Sequence, residues 1–117
     1  MAKNFIQEGD VLEFVAPSGG VTSGTCVKIG DLLVLALDTA AVGVKFRGRR
    51  TGVISHAKLS AQAWTEGQQV NWDDTNKRFT TVTTGNYRAG VAAAVAANPS
   101  ATGEVVLAGV NLGAALA

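Results

Sequence analysis

The chain has 117 residues and a mass of 12.0 kDa, room for one compact domain with one modest core. Ten Lys and Arg stand against nine Asp and Glu, only 16% of residues are charged and 47% are hydrophobic, with a mean hydropathy of +0.22. That balance argues against a disordered chain, a coiled coil and a long-range electrostatic binder of nucleic acid, and Gly 14 with 6% aromatics suits a turn-rich β protein built on small aliphatic residues. So apolar a chain with so few charges also suggests surface buried in an assembly.

The elements follow in chain order. Asp10 to Val15 mixes alternation with β-branched and aromatic residues and stops at Pro17-Ser18-Gly19-Gly20, a strand closed by a turn. Val21 to Ile29 and Leu32 to Leu37 flank Gly30-Asp31, a hairpin signal, and the unbroken apolar run of the second suggests a strand covered on both faces. Val42 to Arg47 and Thr51 to Ser55 read as further strands around Gly48-Arg49-Arg50. Residues 57–63 lack β-branched side chains, and one short helix is expected there. Gln69 to Trp72 and Arg78 to Thr81 form a hairpin around Asp73-Asp74-Thr75-Asn76. The alanine-rich run from Ala89 to Ala97 suits helix or strand; strand is expected, because Glu104-Val105-Val106-Leu107 offers a pairing partner. Residues 109–117 read as a weakly ordered tail, and residues 1–5 as an N-terminal arm. The sum is an all-β fold, a small single-domain barrel or sandwich of short antiparallel strands spanning 1–117.

Motifs for catalysis fail one by one. Gly19 and Gly24 have the spacing of a phosphate-binding loop, but Thr25 and Cys26 stand where such a loop needs Lys and then Ser or Thr for magnesium. His56 is the only histidine, with no Gly-x-Ser-x-Gly elbow to serve it. Cys26 is the only cysteine, so it forms no intrachain disulfide, and it lies in an apolar run that suits a small buried thiol. Asp73, Asp74 and Asn76 gather oxygen atoms without the Gly and Glu of a calcium loop, and Asx turn chemistry explains their spacing. No cofactor and no metal are expected. The N-terminus reaches Glu8 before any apolar run, which does not fit a secretory signal, and no stretch is long and apolar enough for a membrane helix, so synthesis in the cytosol is expected.

One charge asymmetry stands out: Lys45, Arg47, Arg49, Arg50 and Lys58 hold half the positive charge within fourteen positions. Such a cluster suits an acidic protein surface, phosphates, or a solvated edge protected from mispairing; without interleaved aromatics, specific nucleic-acid binding is not expected.

Taken in order, Met1 to Phe5, Gln7-Glu8-Gly9-Asp10-Val11, Ala16-Pro17, Gly20 to Gly24, Ala63-Trp64, Gly67, Val70-Asn71-Trp72-Asp73, Thr84-Gly85-Asn86, Gly90-Val91-Ala92 and Ala101 to Val105 resemble the capsid cement, or head decoration, proteins of tailed bacteriophages, sometimes labelled recombinase-like. The resemblance implies a structural virion protein, not an enzyme. It would bind the outer surface of the mature capsid, with the major capsid protein as partner, and bridge capsomers as a homotrimer. The alternative from another class is a phage-encoded adhesion module for a host glycan or protein. The cluster Arg47-Gly48-Arg49-Arg50 and the tail beyond Gly109 depart from the family pattern. Within this reading, Lys3, Asn4, Phe5, Lys45, Arg47, Arg49 and Arg50 are expected to contact the capsid. The small residues Ala92, Ala93, Ala94, Val95 and Ala96 are expected where copies meet at a symmetry axis.

Overall fold

The computed structural model describes residues 7, 9–109 and 111–117. Nine strands form two antiparallel sheets: β1 (Val11–Val15), β2 (Cys26–Ile29), β3 (Leu32–Ala36), β4 (Lys45–Arg49), β5 (Gly52–Ala57), β6 (Gln69–Asp73), β7 (Arg78–Thr80), β8 (Tyr87–Ala92) and β9 (Thr102–Leu107). The first sheet has the order β1-β4-β3-β2 and the second β5-β9-β8-β6-β7. The chain crosses from one to the other in the two residues Arg50 and Thr51.

Local chemistry sets the hairpins. Ile29 pairs with Leu32 around Gly30-Asp31, where Gly30 has φ 58° and Asp31 does not share the positive sign, the pattern of a II′ turn. Asp73 pairs with Arg78 to close the β6–β7 hairpin.

β3 shows why its sequence is apolar throughout. Leu33 and Leu35 face the five-stranded sheet and join a core containing Ile54, Trp64, Val70, Trp72, Phe79, Ala89, Ala92, Val105 and Leu107. Leu32, Val34 and Ala36 face the other way, into a second cluster with Ala16, Val21, Ala40 and Phe46. The strand is covered on both faces, as its sequence predicts, because each face of the four-stranded sheet has its own core.

The expected helix over 57–63 is not formed, and no helix occurs among the described residues. The Lys58 N–H donates to Ala101 O and the Leu59 N–H to Phe79 O, so these donors go to neighbouring segments and not back along a helical turn. Gln62 holds the rest in place: its Oε1 accepts from Trp64 Nε1 at 3.1 Å and from the Thr81 N–H at 2.9 Å. A helix of one or two turns carries the full cost of nucleation, and even the high helix propensity of alanine does not offset the non-local bonds these residues make.

The Ala89–Ala97 run is half strand. β8 ends at Ala92, and Ala96 then forms an isolated bridge to Trp64. Pairing between β6 and β8 jumps from Val70–Gly90 to Asn71–Arg88, a bulge that leaves Ala89 unpaired and lets Ala89 and Ala92 both face the core. In the tail, the Leu112 side chain is buried and its N–H donates to Asp31 O, while the Leu116 N–H donates to Asn86 O.

Candidate functional site

The basic cluster divides along the pleat. Lys45, Arg47 and Arg49 alternate with the inward Phe46 and Gly48, so all three project from one face of β4 and are exposed. Their partners on β1 are Val15, Glu13 and Val11. Arg49 pairs with Leu35, so this is the face of the four-stranded sheet that carries the inter-sheet core at β3, but at β4 and β1 its side chains stay exposed, Val15 beside Lys45 among them.

The face is less positive than its sequence suggests. Arg47 grips Asp38 in a bidentate pair, Nη2 to Oδ1 at 2.8 Å and Nε to Oδ2 at 3.0 Å, and the Arg47 N–H adds a third bond at 3.0 Å. Those bonds hold the Asp38 carboxyl down at about 2. Lys45 lies 3.5 Å from Glu13. Arg49 has no carboxylate partner among the described residues; its Nε donates to Thr51 O at 3.0 Å.

Arg50 and Lys58 are engaged by hydrogen bonds within the chain. Arg50 lies off that face, with Nε donating to Gly9 O and Nη1 to Gly109 O, and so clasps the chain entering β1 to the chain leaving β9. Lys58 is buried: its ammonium donates to Leu59 O and Gln62 O and lies 5.5 Å from the Trp64 ring centre. Burial pushes its pKa down from the usual lysine range. Lys3, Asn4 and Phe5 lie outside the described residues.

The expected oligomer contact divides as well. Ala92 and Ala96 are buried within the subunit, Ala93 and Ala94 are half-buried, and Val95 is 76% exposed. Ala92 and Ala96 fill the core of this chain, so only the outward residues of that run remain accessible to a second copy.

The candidates for chemistry are engaged elsewhere. Asp73 Oδ1 accepts from the Thr75 and Asn76 N–H groups and Oδ2 accepts from Asn76 Nδ2, which is turn capping. The Asn76 amide leads in holding the Asp73 carboxyl below its ordinary range. Among the described residues, no group of three His, Cys, Asp or Glu is placed to hold a metal. Burial pushes the Cys26 thiol up to about 12, which suppresses the thiolate. A cleft of about 400 Å³ runs between residues 17–28 and the β6–β7 turn. Its one carboxylate, Asp74, is occupied by Trp72 Nε1 at 3.0 Å and Lys77 Nζ at 2.9 Å.

Asp38 and the inward turn of Lys58 escaped sequence reasoning. The spacing of Asp38 from Arg47 carries no local signal, and a lysine on a strand end shows no direction.

No curated protein and no solved structure matches the chain significantly. A family model described as phage cement protein matches residues 6–107, which takes in all nine strands and the exposed side chains of β4. The chain belongs to the phage cement protein family.

Proposed function

We propose that this protein binds the outer surface of a bacteriophage capsid and stabilises the mature head as a homotrimer bridging capsomers, with the major capsid protein as its partner. A capsid-associated structural role follows from the family. The observation that carries the finer reading is the exposed stretch of β1 and β4, where Val15 and the half-buried Val11 stand opposite Lys45 and Arg49 with Arg47 between them. A mixed apolar and charged surface of this kind suits a standard protein–protein interface. Cementing requires no chemistry: binding free energy spread across a capsomer junction opposes expansion of a shell under pressure from packed DNA. We therefore assign no catalytic role, with synthesis in the host cytoplasm and residence on the virion.

Lys45, Arg47 and Arg49 are the proposed capsid contacts. Residues 1–5, including Lys3, Asn4 and Phe5, are proposed to join them, because β1 begins at Val11 opposite Arg49. Arg50 is reassigned as the residue that fixes where that segment leaves the domain. The test is co-sedimentation with expanded heads of the phage that encodes the chain. Charge reversal at Lys45 and Arg49 together is expected to weaken binding about ten-fold at low salt, roughly 1.4 kcal/mol, and by less at high salt. Unchanged binding and unchanged salt dependence would remove this face from the contact.

A further inference from the structure

The outer face of the five-stranded sheet carries a feature that capsid binding by β1 and β4 does not use. Residues paired across antiparallel strands project from the same face. Val53 of β5 pairs with Val106 of β9, and Val106 pairs with Val91 of β8, so three valines form a row across the sheet. Val53 is 61% exposed and Val91 38%, and the exposed Val95 follows just beyond β8.

The row has flanks of opposite charge. On one side lie Ser55 and Glu104, paired with each other. On the other lies Arg88, paired with Asn71. Arg88 and Glu104 are exposed, and neither has an ion-pair partner among the described residues. An apolar row between one unpaired base and one unpaired acid suits a partner with the same layout. A second copy supplies it: valines cover valines while the base of one copy meets the acid of the other.

We propose that copies of this chain meet through this face, with Arg88 of one copy against Glu104 of the next. The inference rests on the trimer reading above, in which each copy meets its neighbour head to tail. With the three valine rows lining the three-fold axis, the Arg88 flank of each copy meets the Glu104 flank of the next, and the ring closes with every Arg88 and Glu104 paired. It replaces the alanine run as the contact and keeps only Val95 from it.

Disulfide trapping tests the pairing directly. Within one chain the two positions are two residue rows apart, about 14 Å along the strands, too far for a disulfide, which requires Cα atoms within about 7 Å. Cys26 is buried and its thiol is pushed up to about 12, so it does not compete. R88C and E104C are prepared separately, mixed and mildly oxidised, in solution and on expanded heads. The mixture is expected to give disulfide-linked pairs at least five-fold in excess of either variant alone, and adding V91E to both is expected to abolish them. No pairs in either setting, or equal yields from each variant alone, would overturn the proposal. Head binding is read in the same samples. Binding without linked pairs removes this interface and leaves the capsid reading; linked pairs without binding do the reverse.

Discussion

At the junction of the two sheets, His56 makes two contacts that a protonated imidazole cannot make together. The Cys26 N–H on β2 donates to His56 Nε2 at 3.0 Å, and Nδ1 lies 3.3 Å from Ala57 O. The geometry requires the tautomer with its proton on Nδ1. Trp72 and Phe79 present their rings edge-on at 5.5 and 5.3 Å. Burial lowers the His56 pKa from 6.5, partly opposed by the Ala57 carbonyl. The folded state therefore binds the proton less readily than the unfolded chain, so this contribution to stability is complete above about pH 6.5 and declines as pH falls towards the lowered folded value. Unfolding free energies from urea titrations between pH 7.5 and 5 should fall for the wild type, by up to about 1.4 kcal/mol per pH unit within that window, with the midpoints falling in step, and H56F should flatten the decline. A wild-type midpoint independent of pH there would refute it. Lys58 gives a second test at this scale. K58M keeps the apolar stem but leaves the Leu59 and Gln62 carbonyls without their donor, and should cost about 1–3 kcal/mol in chemical denaturation. A loss below about 0.5 kcal/mol would show that water replaces the ammonium. Residue types told their chemistry in advance: a lone apolar-context cysteine was legible as a buried thiol. Direction was not, and that is why the buried Lys58 counted with the basic cluster.

Strands and hairpins were legible because their signals are local: Gly30-Asp31 and the Asx-rich turn after Asp73 decide their geometry within a few residues. Residues 58–64 were not, because Ala101, Phe79 and Thr81 supply their partners from far along the chain. The bulge in β8 was hidden for the same reason; it depends on β6. Two glycines record how closely that region is packed. A Cβ at Gly90 would lie 2.0 Å from Val106 O, and one at Gly103 would lie 2.4 Å from the Trp64 ring. The first obstacle is the backbone of the paired strand β9, and the second is a buried ring that shifts only with its neighbours. Overpacking of this kind costs about 1–3 kcal/mol or more. G90A is therefore expected to destabilise more than G103A, and G103A is expected to change tryptophan fluorescence in the native state. The reverse order of denaturation midpoints would mean that β8 and β9 separate more easily than Trp64 moves.

At the scale of the whole molecule, the low charge and abundance of small residues find two outlets. One is a pair of cores on the two faces of a single sheet, and the other is a set of valines left at the surface. Division of the hydrophobic residues between two cores was only half visible: the run Leu32 to Leu37 announced a strand covered on both sides, but no periodicity names what covers it. The arrangement makes β3 the element on which both cores depend, since Leu33 serves one and Val34 the other. Coupling of that kind predicts one cooperative transition. Both tryptophans, Trp64 and Trp72, belong to the core between the sheets, so their fluorescence reports on that core alone, whereas far-UV circular dichroism reports on both sheets. The two probes should give coincident urea curves at a fixed protein concentration. L33A removes a buried side chain from the core between the sheets and is expected to cost about 2–5 kcal/mol. If β3 couples the cores, L33A shifts both curves together by that amount. If the four-stranded sheet folds independently around Val34, Ala36 and Phe46, the fluorescence curve moves and part of the dichroism stays behind, and the two cores must then be treated as separate units.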